Sequence, residues 1–186
     1  MKSLIELFWQ LCRFRRGPQN VPYSPPLMVL LLLAVAGLGV ATIFAMEQQY
    51  MAPKLLGMVA ALGTWMLLVW GVLGFKGLGP RFVQTMTACL GTDLLMSCIL
   101  LPLQGAALAN AQDNWLGTLL KVAIMTVLVW DILIKARIYS VAMNMGRLQG
   151  NLLSISIWLI VILISNSFLP PEAFEALQQQ QQAAQQ

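Results

Sequence analysis

Four ionisable residues, Asp93, Lys121, Asp131 and Lys135, interrupt long apolar runs in this chain. A carboxylate in such a run is costly to ionise, so it faces protein or water rather than hydrocarbon. Asp93 shares a helical face with Thr85, Cys89 and Ser97, and Thr92 is adjacent. That polar stripe reads in two ways. It is a place that takes up a proton or a cation, or it is a hydrogen-bonding contact between helices. Lys121 has the length either to reach its charge out to the interface or to reach toward Asp93. Asp131 and Lys135 are spaced i, i+4 with the acid first, the favourable order for a salt bridge along one helix. The alternative for that pair is a docking or headgroup site shared with Arg137 and Tyr139.

Other chemistries lack their residues. The chain has no His, the commonest general base and metal ligand. Three cysteines, Cys12, Cys89 and Cys98, show no paired spacing and read as packing residues. No metal site or cofactor is expected. No GxSxG, Walker A, HExxH or DxD arrangement occurs, and Gly77-Leu78-Gly79-Pro80 lacks the following GK[ST] of a phosphate loop. An enzyme is not expected.

The elements that must carry these residues follow from composition. Of the 186 residues 59% are hydrophobic and only 10% are charged, against about 25% charged in a soluble domain. A spanning helix needs about 20 mostly apolar residues, and five stretches qualify: 27–46, 55–75, 82–104, 116–136 and 152–169. The first, second and fifth carry no charge. Asp93 falls in the third, while Lys121, Asp131 and Lys135 fall in or at the end of the fourth. The expected fold is an all-α polytopic transmembrane bundle of five spans. It divides into an N-terminal segment 1–26, a membrane domain 27–169 and a short tail 170–186.

The positive charges set an orientation. With the N-terminus in the cytoplasm, Lys2, Arg13, Arg15, Arg16, Lys76, Arg81, Lys135, Arg137 and Arg147 all fall inside. This satisfies the positive-inside rule and predicts a cytoplasmic N-terminus with the C-terminus on the outer side. The net charge of +4 then reflects topology rather than nucleic-acid binding.

Residues 2–14 wind into an amphipathic helix. Leu4, Ile5, Leu7, Phe8, Leu11 and Cys12 gather on one side, and Lys2, Glu6, Gln10 and Arg13 on the other. With Arg15 and Arg16 following, the helix is expected to lie flat on the cytoplasmic leaflet, with Lys2, Arg13, Arg15 and Arg16 at the lipid headgroups. Packing on the protein's own loops is the alternative. Prolines at 18, 22, 25 and 26 make 17–26 an extended connection. Small residues at i, i+4 spacing, Gly37, Ala41 and Ala45 in the first span and Gly57 and Ala61 in the second, mark helix-packing faces. Trp65, Trp70 and Trp130 are expected as helix contacts, and Trp115 as an interfacial anchor. The Gln-rich end is expected to be disordered, after a short helix near Pro171.

The runs KGLGPRFVQTMTACLGTDLLMSCILLPL (76–103) and VLVWDILIKARIYSVAMNMGRLQGNLLSISIWLIVILI (127–164) resemble the bacterial branch of the Yip1-domain family of five-span inner-membrane proteins. They are similar to that family's Gly-rich turn into a helix, and to its fourth helix, basic turn and fifth helix. Trp130 stands where the family often has Trp. Asp93 departs from the family's small or apolar residues, and the family's Pro in that helix is displaced to Pro102. RRGPQNVPYS is similar to a stretch of proteobacterial membrane proteins. The resemblance implies a non-enzymatic protein of the bacterial inner membrane, which makes the outer side of the C-terminus the periplasm. The expected function is an accessory or scaffold subunit that binds membrane-protein partners or itself. The alternative is a small transporter or proton- or ion-coupled carrier using Asp93. Lipid handling is a third reading, which the basic inner surface permits.

Overall fold

The computed structural model describes residues 4–46, 50–110, 115–170 and 172. Lys2 and nearly all of the Gln-rich tail lie outside them. Among the described residues every regular element is helical: α1 (Leu4–Cys12), α2 (Pro25–Met46), α3 (Met51–Phe75), α4 (Phe82–Ala109), α5 (Trp115–Ala142) and α6 (Arg147–Ser167), with one-turn 3-10 segments at Pro18–Asn20 and Gly79–Arg81. α2 to α6 are each long and apolar enough to cross a membrane. The chain is an all-α bundle of five membrane spans.

α4 is the centre. Its residues from Thr85 to Thr92 are buried in an unbroken run, so this half of the helix is covered on all sides. The polar side chains in that run are satisfied locally. Thr85 and Thr87 donate to the carbonyls of Arg81 and Val83, four residues back, at 2.8 and 2.7 Å. Thr92 donates to Cys89 O at 2.8 Å. Such bonds remove the desolvation cost of buried hydroxyls. α1, α2, α3 and α5 pack around α4, while α6 closes on α3 and α5.

Three helices finish alike, α3 and α5 at the end of the bundle that gathers Lys76, Arg81, Arg137 and Arg147, called here the basic end, and α1 deeper in the bundle, beside Trp130. Phe14, Gly77 and Asn144 each adopt a left-handed φ. The next N–H folds back five residues, Arg15 to Gln10 O, Leu78 to Leu73 O and Met145 to Ser140 O. This is the Schellman closure, which satisfies helix-terminal carbonyls. It explains one difference from the sequence expectation. α5 does not stop near Lys135 but continues to Ala142, and a four-residue link leads into α6, where Gln149 Oε1 accepts the Gly146 N–H at 3.2 Å.

The two small-residue faces have opposite fates. In α3 the buried positions are Gly57, Ala61, Trp65, Val69 and Leu73, one stripe at i+4 spacing. A Cβ on Gly57 would stand 2.5 Å from Ser165 O, so glycine lets α3 and α6 touch. In α2, Gly37, Ala41 and Ala45 are exposed, and nothing lies within 4 Å of a Cβ built on Gly37. The expected packing face of α2 is therefore unused among the described residues. Trp70 is likewise exposed rather than a helix contact.

Candidate functional site

α4 and α5 run antiparallel, and their register sets the site. Lys135 Nζ on α5 stands 2.7 Å from Asp93 Oδ1 on α4 and 2.6 Å from Asp131 Oδ2 one turn back on its own helix. The i, i+4 pair expected from sequence is present, and Asp93 joins it. All three side chains are 13–19% exposed. One ammonium thus bridges two carboxylates. Desolvating these groups is expensive, and only close contacts of this kind offset it. Asp131 Oδ1 is buried with no hydrogen-bond partner among the described residues.

The same register continues on both sides of the bridge. One turn back along α4 and one turn forward along α5, Cys89 stands beside Tyr139, both buried. One turn the other way, Ser97 takes the position opposite Asp131. α3 completes the group. Trp65 Nε1 donates to Tyr139 Oη at 2.7 Å, and Lys135 Nζ lies 5.6 Å from the centroid of the Trp65 ring. The ammonium is thus held by two carboxylates and the face of an indole, a favourable cation–π arrangement.

α1 packs beside this group. Phe8, Leu11 and Cys12 are buried. The Phe8 ring fills the space that a side chain at position 91 would take, since a Cβ there would meet it at 2.3 Å. Trp130 Nε1 donates to Cys12 O at 3.1 Å, tying the end of α1 to α5. Burial pushes the Cys12 thiol up to about 12, and the nearby Asp131 adds to the push. The apolar side expected of α1 is therefore divided. Phe8, Leu11 and Cys12 enter the bundle, while Leu4, Ile5 and Trp9 are exposed. Arg13 and Arg15 are exposed just beyond the helix, and Arg16 is half-buried.

Of the residues singled out from sequence, Asp93, Asp131 and Lys135 converge. Lys121 does not join them: it is exposed on α5, about 21 Å along the helix from Lys135 at 1.5 Å per residue. The partner of Asp93 is Lys135. Tyr139, weighed from sequence as part of an interfacial site, is instead fully buried. Sequence reasoning missed the Trp65–Tyr139 and Trp130–Cys12 bonds. The available signal was spacing: Tyr139 follows Lys135 by one helical turn, as Cys89 precedes Asp93. Beyond Ser97, towards the other end of the bundle, a cleft of about 210 Å³ between α2, α3 and α4 is lined by Gly39, Thr42, Met58 and Leu62 among others.

Comparison with protein-family models, with curated proteins and with solved structures finds no match to this chain.

Proposed function

We propose that this chain is a non-catalytic integral membrane protein, an accessory or scaffold subunit that associates with membrane-protein partners or with itself. The observation that carries the reading is the contrast between two like faces. The small-residue stripe of α3 is consumed by contact with α6, whereas Gly37, Ala41 and Ala45 of α2 stand open along one side of a spanning helix. Small residues let two helix backbones approach, and in lipid that close packing is a main source of association. The ionic group supports the same reading, because Lys135 ties Asp93 to Asp131 and so joins α4 to α5.

The rest of the reading follows the charge pattern. The basic end is cytoplasmic by the positive-inside rule, and the resemblance to the Yip1-domain family makes the membrane the bacterial inner membrane. The exposed Leu4, Ile5 and Trp9 of α1 dip into the cytoplasmic leaflet beside it. Arg13, Arg15 and Arg16 meet its headgroups. The similarity of 76–103 and 127–164 to the Yip1-domain family agrees with a role without catalysis.

Native mass spectrometry of the gently solubilised full chain, with Gly37→Leu and Ala41→Leu variants, tests the proposal. Oligomers or co-purifying membrane proteins that are lost in these variants are expected. A lone monomer across several detergents, unchanged by either substitution, overturns it.

A second reading is favoured by one observation: two carboxylates face one ammonium, and Asp131 Oδ1 has no hydrogen-bond partner among the described residues. That surplus of negative charge suits a proton- or cation-coupled carrier centred on Asp93. It predicts that Asp93→Asn abolishes a flux in vesicles while the protein stays folded; unchanged flux removes this reading.

A further inference from the structure

A cavity of about 350 Å³ opens at the basic end, apart from the ionic group. Gln19 from the connection after α1, Arg81, Gln84 and Thr85 from the start of α4, and Ala142 and Asn144 from the end of α5 contribute to its walls. Among its lining residues Arg81 is a cation and none is an acid.

Arg81 is held in place through a single nitrogen. Its Nη1 donates to Ala142 O at 3.1 Å and to Asn144 Oδ1 at 3.4 Å. A guanidinium carries five N–H donors in a planar fork. Those on Nε and Nη2 make no hydrogen bond to the described residues. Lys76 Nζ donates to Met143 O at 3.0 Å, so a second cation stands against the same short link. The helix-end carbonyls they contact carry only a partial negative charge, roughly half a unit for the whole terminus. Two full positive charges therefore exceed it. Gln84 spends one amide hydrogen on Val21 O at 3.2 Å, which fixes the connection as a wall of the cavity. The other hydrogen of that amide is left over. The cavity also lies just past the ends of apolar spans, at the depth where headgroups sit.

We propose that this cavity binds a phosphate group, carried by an anionic lipid headgroup or free as inorganic phosphate. Arg81 is its charged anchor, and the side-chain amides of Gln19 and Gln84 are neutral donors. The fork of a guanidinium matches phosphate oxygens in pairs, which a lone ammonium does not. The site stands independently of the scaffold reading, because none of its residues lies on the open face of α2.

The test uses the purified full chain in detergent with three probes. These are phosphatidylglycerol, phosphatidylcholine and inorganic phosphate, read by native mass spectrometry and by thermal shift. The wild type is expected to retain phosphatidylglycerol over phosphatidylcholine, or to be stabilised by phosphate. The first result assigns a lipid source and the second a free one. Arg81→Gln is expected to weaken that binding about tenfold, the loss of a charge-assisted hydrogen bond. Arg147→Gln, an exposed cation at the same end, is expected to leave it unchanged. Arg81 also braces Ala142, so Gln19→Glu provides a second variant. It sets a carboxylate on the exposed wall and is expected to cause the same loss. Binding that falls equally in Arg147→Gln, or that survives both Arg81→Gln and Gln19→Glu, overturns the proposal.

Discussion

Lys135 of α5 and Asp93 of α4 meet at 2.7 Å, and the same ammonium meets Asp131 at 2.6 Å. The ammonium is the only member of the group that compensates two others. Its removal and the removal of one acid must therefore differ. Lys135→Met leaves two mostly buried carboxylates facing each other. It is expected to cost about 3–5 kcal/mol, the usual penalty for orphaning a buried charge. Asp93→Asn leaves a one-to-one pair and is expected to cost about 1–2 kcal/mol. Unfolding in mixed SDS micelles ranks the two; equal losses would show that the bridge is not shared as the distances imply.

Phe8 occupies the space over Gly91, so position 91 controls whether α1 can dock. Gly91→Leu is expected to push α1 out of the bundle and to uncover Cys12. In a Cys98→Ser background, maleimide labelling of Cys12 in the docked protein stays slow through pH 9, because the thiol is buried and its ionisation is pushed up to about 12. In Gly91→Leu the labelling rate is expected to rise with a midpoint near the ordinary thiol value of about 8.5. The sign carries over to stability. A thiol held protonated by docking costs the docked state nothing below about 8.5, and weakens it progressively as pH rises from there toward about 12.

Gly57 and Gly37 share a sequence environment but not a structural one. Gly57→Ala places a methyl group 2.5 Å from Ser165 O, a backbone atom. It is expected to cost about 1–3 kcal/mol by forcing α3 and α6 apart. Gly37→Ala meets nothing and is expected to stay within about 0.5 kcal/mol of wild type. Thermal unfolding in detergent compares them directly.

The orientation proposed from the positive charges is open to reporter fusions. Alkaline phosphatase inserted after Asn110, between α4 and α5, is expected to be active, and after Gly146, between α5 and α6, inactive. Green fluorescent protein at the same places is expected to give the reverse. The opposite pattern would invert the topology.

The sequence by itself determined the class, the number of spans and the local ion pair. Each rests on short-range physics. Twenty apolar residues must span or be buried, and an acid four residues before a lysine on one helix has its partner built in. Tertiary structure decided which faces are used. The spans are apolar nearly all round, so no periodicity separates a side that meets lipid from one that meets helix. That is why Gly57-Ala61 and Gly37-Ala41-Ala45 read alike and were sorted only by packing. It is also why Asp93 found Lys135 rather than Lys121. The antiparallel register of α4 and α5 sets opposite neighbours, and that register comes from helix contacts throughout the bundle. For α1 the apolar side was legible, but only the gap above Gly91 determined that Phe8, Leu11 and Cys12 would turn inward and leave Leu4, Ile5 and Trp9 outside.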